Sequence, residues 1–243
     1  MDLFYNVGLL RRIVIGVFAI ILFSCGGRVY LPTTYFIPPS TANDYTPNVS
    51  VRNEIFGGLI GAQFKDETGF MFGMQSGIYA TGELLRGGVW VSGWYGQYLY
   101  AENTPVWKQT PGFQLQGLVA LAPVLSEGEN VKRLEIGLWG GIGMEGVEDS
   151  QIKYEPVTGR TVESGTQLLF YPLPTGGLAI GYQVVHNTDW AMMMRYYIGL
   201  GGGLAFSFRH KERFEVGLST QMLSFMIRPD MPPARLSIAF WID

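Results

Sequence analysis

The sequence holds few side chains that do chemistry. There are two histidines, His186 and His210, and one cysteine, Cys25. Ser207 stands three residues before His210, but no acid is placed with them to complete a nucleophilic site. Each histidine falls at the end of an expected strand beside a turn, where a solvated turn residue is the bland reading and a base or metal ligand the sharper one. Gly199 to Gly203, GLGGG, would need a following helix to cradle a dinucleotide, and none follows; glycines inside a strand pattern mark tight curvature instead. That leaves Glu54, Glu135, Glu145, Arg195, Arg209 and Glu215, which alternate with small residues. On the inner face of a barrel they would neutralise one another, with gating or conduction as the alternative. No metal site or cofactor is expected.

The elements that carry these residues follow from composition and period. Charged residues make up 15% of the chain, against about 25% in an average soluble protein. Aromatic residues reach 14%, glycine 33 of 243 positions, and mean hydropathy is +0.16. A water-facing surface of this size would carry more charge. Net charge is −3 with no basic stripe, which argues against nucleic acid as a partner. A single cysteine excludes an intramolecular disulfide.

From residue 50 onward the pattern alternates with period two, the signature of strands whose successive side chains leave opposite faces. From Trp190 to Phe208 the even positions are bulky and apolar, while the odd positions carry Ala191, Arg195, Gly199 and Ser207. Strands are expected near 50–64, 69–80, 87–101, 112–121, 132–146, 166–172, 178–186, 189–209, 213–226 and 234–243. Turn-forming clusters separate them, including Pro174-Thr175-Gly176-Gly177, and 146–165 reads as the longest polar connection. The fold class is therefore all-β, an antiparallel up-and-down barrel of about 8–10 strands. Bulky residues on one face and small ones with sparse charges on the other suit a lipid-facing wall around a narrow lumen. Trp90, Trp94, Tyr98 and Tyr100 share one strand face and are expected to form an aromatic belt at the membrane interface.

The amino terminus reads as a targeting segment. Arg11 and Arg12 precede an unbroken apolar run from Ile13 to Phe23, followed by Ser24-Cys25-Gly26-Gly27, the parts of a secretory signal. Leu22-Phe23-Ser24-Cys25 resembles the lipobox of bacterial lipoproteins. The resemblance implies that the Cys25 thiol is acylated and that cleavage makes Cys25 the mature amino terminus. Residues 1–24 would then be the signal peptide, 25–49 a lipidated, proline-rich tether, and 50–243 the barrel domain. The alternating body and its last strand, Leu236 to Asp243, resemble small outer-membrane barrels. Together these resemblances imply a lipid-anchored outer-membrane barrel with a non-enzymatic structural or interaction role. Its partners would be outer-membrane lipid and other envelope proteins, with no small-molecule ligand identifiable. Some small outer-membrane barrels modify lipids through Ser/His sites, which keeps an enzyme as an alternative. A lipid-anchored soluble barrel binding an apolar ligand is another. Mass spectrometry of the mature protein is expected to find a lipidated residue 25, and an intact Met1 in that sample would refute the assignment.

Overall fold

The structure, a computed structural model, describes residues 48–61, 68–100, 106–155, 160–186, 189–200, 203–211, 213–221 and 234–242. All belong to the second of two compact units, Pro32–Asp243. Cys25, the expected signal peptide and nearly all of the expected tether lie outside the described residues. The chain enters its first strand at Asn48.

Among the described residues twelve strands follow one another: β1 (Asn48–Gly61), β2 (Thr68–Thr81), β3 (Leu85–Tyr100), β4 (Val106–Gln109), β5 (Gly112–Leu121), β6 (Val124–Ser126), β7 (Asn130–Glu155), β8 (Arg160–His186), β9 (Trp190–Leu200), β10 (Gly203–His210), β11 (Phe214–Gln221) and β12 (Ala234–Ile242). The short strands β4 and β6 flank β5 across Pro111 and Pro123, where proline withdraws a ladder donor, so the three act as one stave. Ten antiparallel staves result, each paired with its sequence neighbours, and β1 pairs with β12 from Val51↔Ile242 to Leu59↔Ala234 to close the barrel. An even number of staves brings Asn48 and Ile242 to the same end, called here the near end, with the short turns at 82–84 and 127–129. Gly61 and Thr68, Tyr100 and Val106, Leu200 and Gly203, and Gln221 and Ala234 lie towards the opposite, far end.

Closure turns the period of two into an inside and an outside. On β9 the odd side chains of Ala191, Met193, Arg195 and Tyr197 are buried, while Met192, Met194 and Ile198 are 41–47% exposed on the outer wall. The same alternation runs round every stave, giving an outer surface of Val, Ile, Leu, Phe and Met. The lumen is too narrow for bulky residues on every stave, and glycine supplies the room. Tyr79 lies against Gly88, Trp90 against Gly77 and Met193 against Gly181; a Cβ at Gly77 would approach the Trp90 Cβ to 2.5 Å.

Four expectations are corrected. The segment 189–209 is not one strand but the hairpin β9–β10, turning in the GLGGG stretch. Its paired residues, such as Tyr197↔Gly203 and Met193↔Ser207, have the same parity, so each row keeps its face although the strand folds back. Conversely, 166–172 and 178–186 belong to one strand, β8, which runs straight through Pro174-Thr175-Gly176-Gly177. These glycines serve a close approach rather than a turn: Gly177 has φ of 157° and faces Gly199 of β9, where a Cβ would strike the Ile198 carbonyl. The expected connection 146–165 is instead a ladder, with β7 and β8 pairing on to Glu155↔Arg160. Its polar residues show no alternation of period two, so nothing in the sequence marked a strand there. Finally, Trp90, Trp94 and Tyr98 form no outer belt; they point into the lumen, each at most 5% exposed. The Tyr100 side chain lies outside the described residues.

Replacing Gly77 by valine is expected to lower barrel stability by about 1–3 kcal/mol through overpacking against Trp90. Gly93→Ala, where the nearest atom would be 3.9 Å away, should change it by less than about 0.5 kcal/mol. Urea unfolding in lipid vesicles, followed by tryptophan fluorescence, measures both.

Candidate functional site

The polar face of the alternating pattern becomes a buried ionic core. Among the described residues, six arginines (Arg52, Arg86, Arg133, Arg195, Arg209, Arg235) and four glutamates (Glu54, Glu135, Glu145, Glu215) are buried, none more than 5% exposed. All six charged residues singled out from the sequence stand inside the barrel. Arg52, Arg86, Arg133 and Arg235 do so too and were missed. The signal was available: Arg52 stands two residues before Glu54, Arg133 two before Glu135, and Arg235 two before Ser237. Row membership fixes sidedness in a strand.

Two clusters dominate. In the first, Arg52 of β1 reaches across β12 to Glu215 of β11, with Nη2 3.2 Å from Oε1, and also bonds Glu54 on its own strand. Arg235 of β12 bonds Glu54 from the other side, and its Nη2 donates to Gln75 Oε1 at 3.4 Å. Trp241 Nε1 donates to Glu215 Oε2 at 2.8 Å, and the Arg52 and Arg209 guanidinium carbons lie 5.8 and 5.7 Å from the Trp241 ring centroid. The cluster thus draws on β1, β2, β10, β11 and β12, tying together the staves on both sides of the closing seam.

In the second cluster, Arg195 of β9 spans β8 to Glu135 of β7, with Nη2 2.7 Å from Oε1. Arg195 Nη1 also donates to Tyr197 Oη at 3.0 Å, and Tyr197 stands edge-on to Trp139 at 5.4 Å. Neutral hydrogen bonds fill the remaining height. Trp90 Nε1 donates to Gln116 Oε1 at 3.0 Å, while the Gln114 and Gln116 amides both donate to Thr175 Oγ1 at 3.1 Å. Thr110 Oγ1 donates to Glu145 Oε1 at 2.7 Å. At the near end, Arg86 bonds Gln183 across the lumen, and Arg133 Nη1 donates to the Glu83 and Ala122 carbonyls at 2.7 and 3.1 Å.

Arginine suits this task. Its planar fork presents five donors and spans the gap between non-adjacent staves, so one side chain reaches two partners, as Arg235 does with the Glu54 carboxylate and the Gln75 amide oxygen. Beside Glu54 and Arg235 lies a cavity of about 10 Å³, room for about one water molecule.

The structure does not bring together the groups considered for catalysis. Ser207 is buried on the inner row of β10, whereas His210 is exposed on the outer row of the same strand. His186 Nδ1 lies 2.8 Å from Asn130 Oδ1, and its ring stacks on Trp190 at 5.2 Å. That arrangement pins the near-end β7–β8–β9 corner.

Fold and core together define a closed ten-stave antiparallel barrel with an apolar wall and a filled, ion-paired lumen. No protein family and no curated protein sequence matches the chain. Among solved structures, the translocator domain of autotransporter NalP from Neisseria meningitidis is similar at 10% identity, covering 83% of this chain and 89% of that chain with a TM-score of 0.29.

Removing one partner of the Arg195–Glu135 pair strands a buried charge. Arg195→Met is expected to cost about 3–5 kcal/mol, whereas the double change Arg195→Met, Glu135→Gln should recover most of that loss. Equilibrium unfolding of both variants in vesicles reads the difference. Equal destabilisation would show that packing, not charge pairing, governs the site.

Proposed function

We propose that this chain is an integral outer-membrane β-barrel, tethered additionally by a lipid on Cys25, with a non-enzymatic structural or interaction role in the bacterial envelope. The observation that carries the proposal is the inversion of polarity: charges inside, and a wall of large apolar side chains outside on every stave. In water that wall would be an aggregation surface far beyond the few hundred Å² of apolar patch a soluble protein tolerates. In a bilayer it is the favoured surface, and closure leaves no strand edge in hydrocarbon. Even the polar outward pair at mid-wall supports this reading, because Ser76 Oγ donates to Asn53 Oδ1 at 2.9 Å and the two groups satisfy each other.

The filled lumen argues against a general pore and against a soluble carrier of apolar ligands, which needs an apolar cavity. The role then belongs to the surfaces outside the bilayer. Short turns at the near end, where β1 begins at Asn48 and β12 ends at Ile242, match the periplasmic side of outer-membrane barrels, and the long β7–β8 ribbon at the far end then faces outward. A lipid on residue 25 would enter the periplasmic leaflet.

The test is fractionation of Cys25→Ser, which should stay in the membrane pellet after urea or carbonate washing. Release into buffer would leave only a soluble, lipid-tethered barrel. Independently, Met194→Arg, at an outward position 43% exposed, should cost about 2–4 kcal/mol if it lies near the bilayer midplane. A neutral effect in vesicles would put that wall in water.

A further inference from the structure

We propose that the free edge of β7 beyond the barrel rim is a strand-addition site for an extended, basic peptide. The pairing of β5 with β7 ends at Gly112↔Glu145, and that of β9 with β8 ends at Leu200↔Gly176. Past those points, β7 and β8 pair only with each other among the described strands, on to Glu155↔Arg160. At about 3.3 Å per residue, Gly146 to Glu155 extends about 30 Å along the strand.

The two edges of this ribbon are treated differently. The β8 edge carries Pro172 and Pro174, and the ladder to β7 is continuous through both, so their missing N–H groups face the open side. Further out, Gln151 pairs with Gly165 and Ile152 with Glu163, leaving Ser164 as a bulged residue on β8. Prolines and bulges are devices that blunt an edge against pairing. The β7 edge has neither. The Gly146 N–H points to that side, where it donates to the Pro111 carbonyl at 2.6 Å. By alternation, the N–H groups of Ser150, Ile152 and Tyr154 point the same way. Nearer the barrel, the Gln109 N–H donates to Glu148 Oε2 at 3.0 Å, so β4 flanks the edge there; on that side no described strand pairs with β7 from Ser150 to Glu155.

A two-stranded ribbon is marginally stable by itself in water, and a third strand consolidates it. The chemistry of that strand follows from charge. The ribbon carries Glu148, Asp149, Glu155 and Glu163 against Lys153 and Arg160, an acidic excess that favours a basic partner. Main-chain pairing supplies affinity and alternate side chains supply specificity in this mode of recognition. A second copy in the same membrane suits the edge less well, because its β7 would run parallel and present the same edge rather than a complementary one. The inference goes beyond the envelope role proposed above and does not depend on the membrane reading, since the ribbon lies outside the barrel wall.

The test uses the full chain, purified in detergent, and a fluorescein-labelled peptide of alternating Lys and Thr read by fluorescence anisotropy. Wild-type protein should bind it, and a carbonyl-labelled form should show the infrared shift of a paired strand. Ser150→Pro and Tyr154→Pro each remove a donor from the open edge and should weaken binding by about tenfold, the loss of one to two ladder bonds. The folded state of each variant is verified by its gel mobility before and after heating. A peptide with alternate amides N-methylated should lose affinity in the same way. Unchanged affinity in both proline variants, equal binding of the methylated peptide, absence of binding to wild type, or dimerisation through β7 that the peptide does not disturb would each overturn the proposal. Failure of the fractionation experiment would leave these results intact, so the two readings fall separately.

Discussion

Lateral closure of the sheet through β1 and β12 is the constraint on which everything else depends. Each backbone N–H and C=O along the staves needs a partner, and a flat ten-strand sheet would leave two long edges open. Pairing Val51 with Ile242 and Leu59 with Ala234 removes both edges at once. It also makes the period of two decisive, because one row of each strand must now face a confined interior and the other must face the surroundings. The Arg52–Glu54–Arg235–Glu215 cluster sits behind this seam, so buried ion pairs brace the place where the first and last strands meet.

The interior answers two demands together. A charge behind an apolar wall is expensive unless it is paired and hydrogen-bonded. The arginines meet this by reaching past their neighbouring staves: Arg52 to β11, Arg195 to β7, Arg86 to β8. Large aromatic rings fill what remains, and they fit only because glycine stands opposite them, as Gly77 does for Trp90 and Gly88 for Tyr79. The high glycine content and the sparse charge of the chain are therefore parts of one packing solution.

The sequence by itself determined the fold class and the membership of each side-chain row, because alternation is local: if Met194 and Arg195 are neighbours in a strand, they leave opposite faces whatever the rest of the chain does. The rows survived even where the strand boundaries were misread, since Tyr197 and Gly203 pair with equal parity across the β9–β10 turn. Glycine was the ambiguous letter. It permits a turn at Gly199 to Gly203 and a close backbone approach at Gly177, and short-range pattern cannot tell these apart. Only the tertiary structure decided between them, because the deciding fact at Gly177 is the carbonyl of Ile198 on another strand. The same holds for the row of Trp90, Trp94 and Tyr98, whose inward direction depends on the register of β3 against β2 and β5. It holds too for the ion pairs, whose partners lie as far as 181 residues apart in the chain. Which residues share a face is a property of the strand; which face is the inside, and who meets there, belongs to the closed barrel.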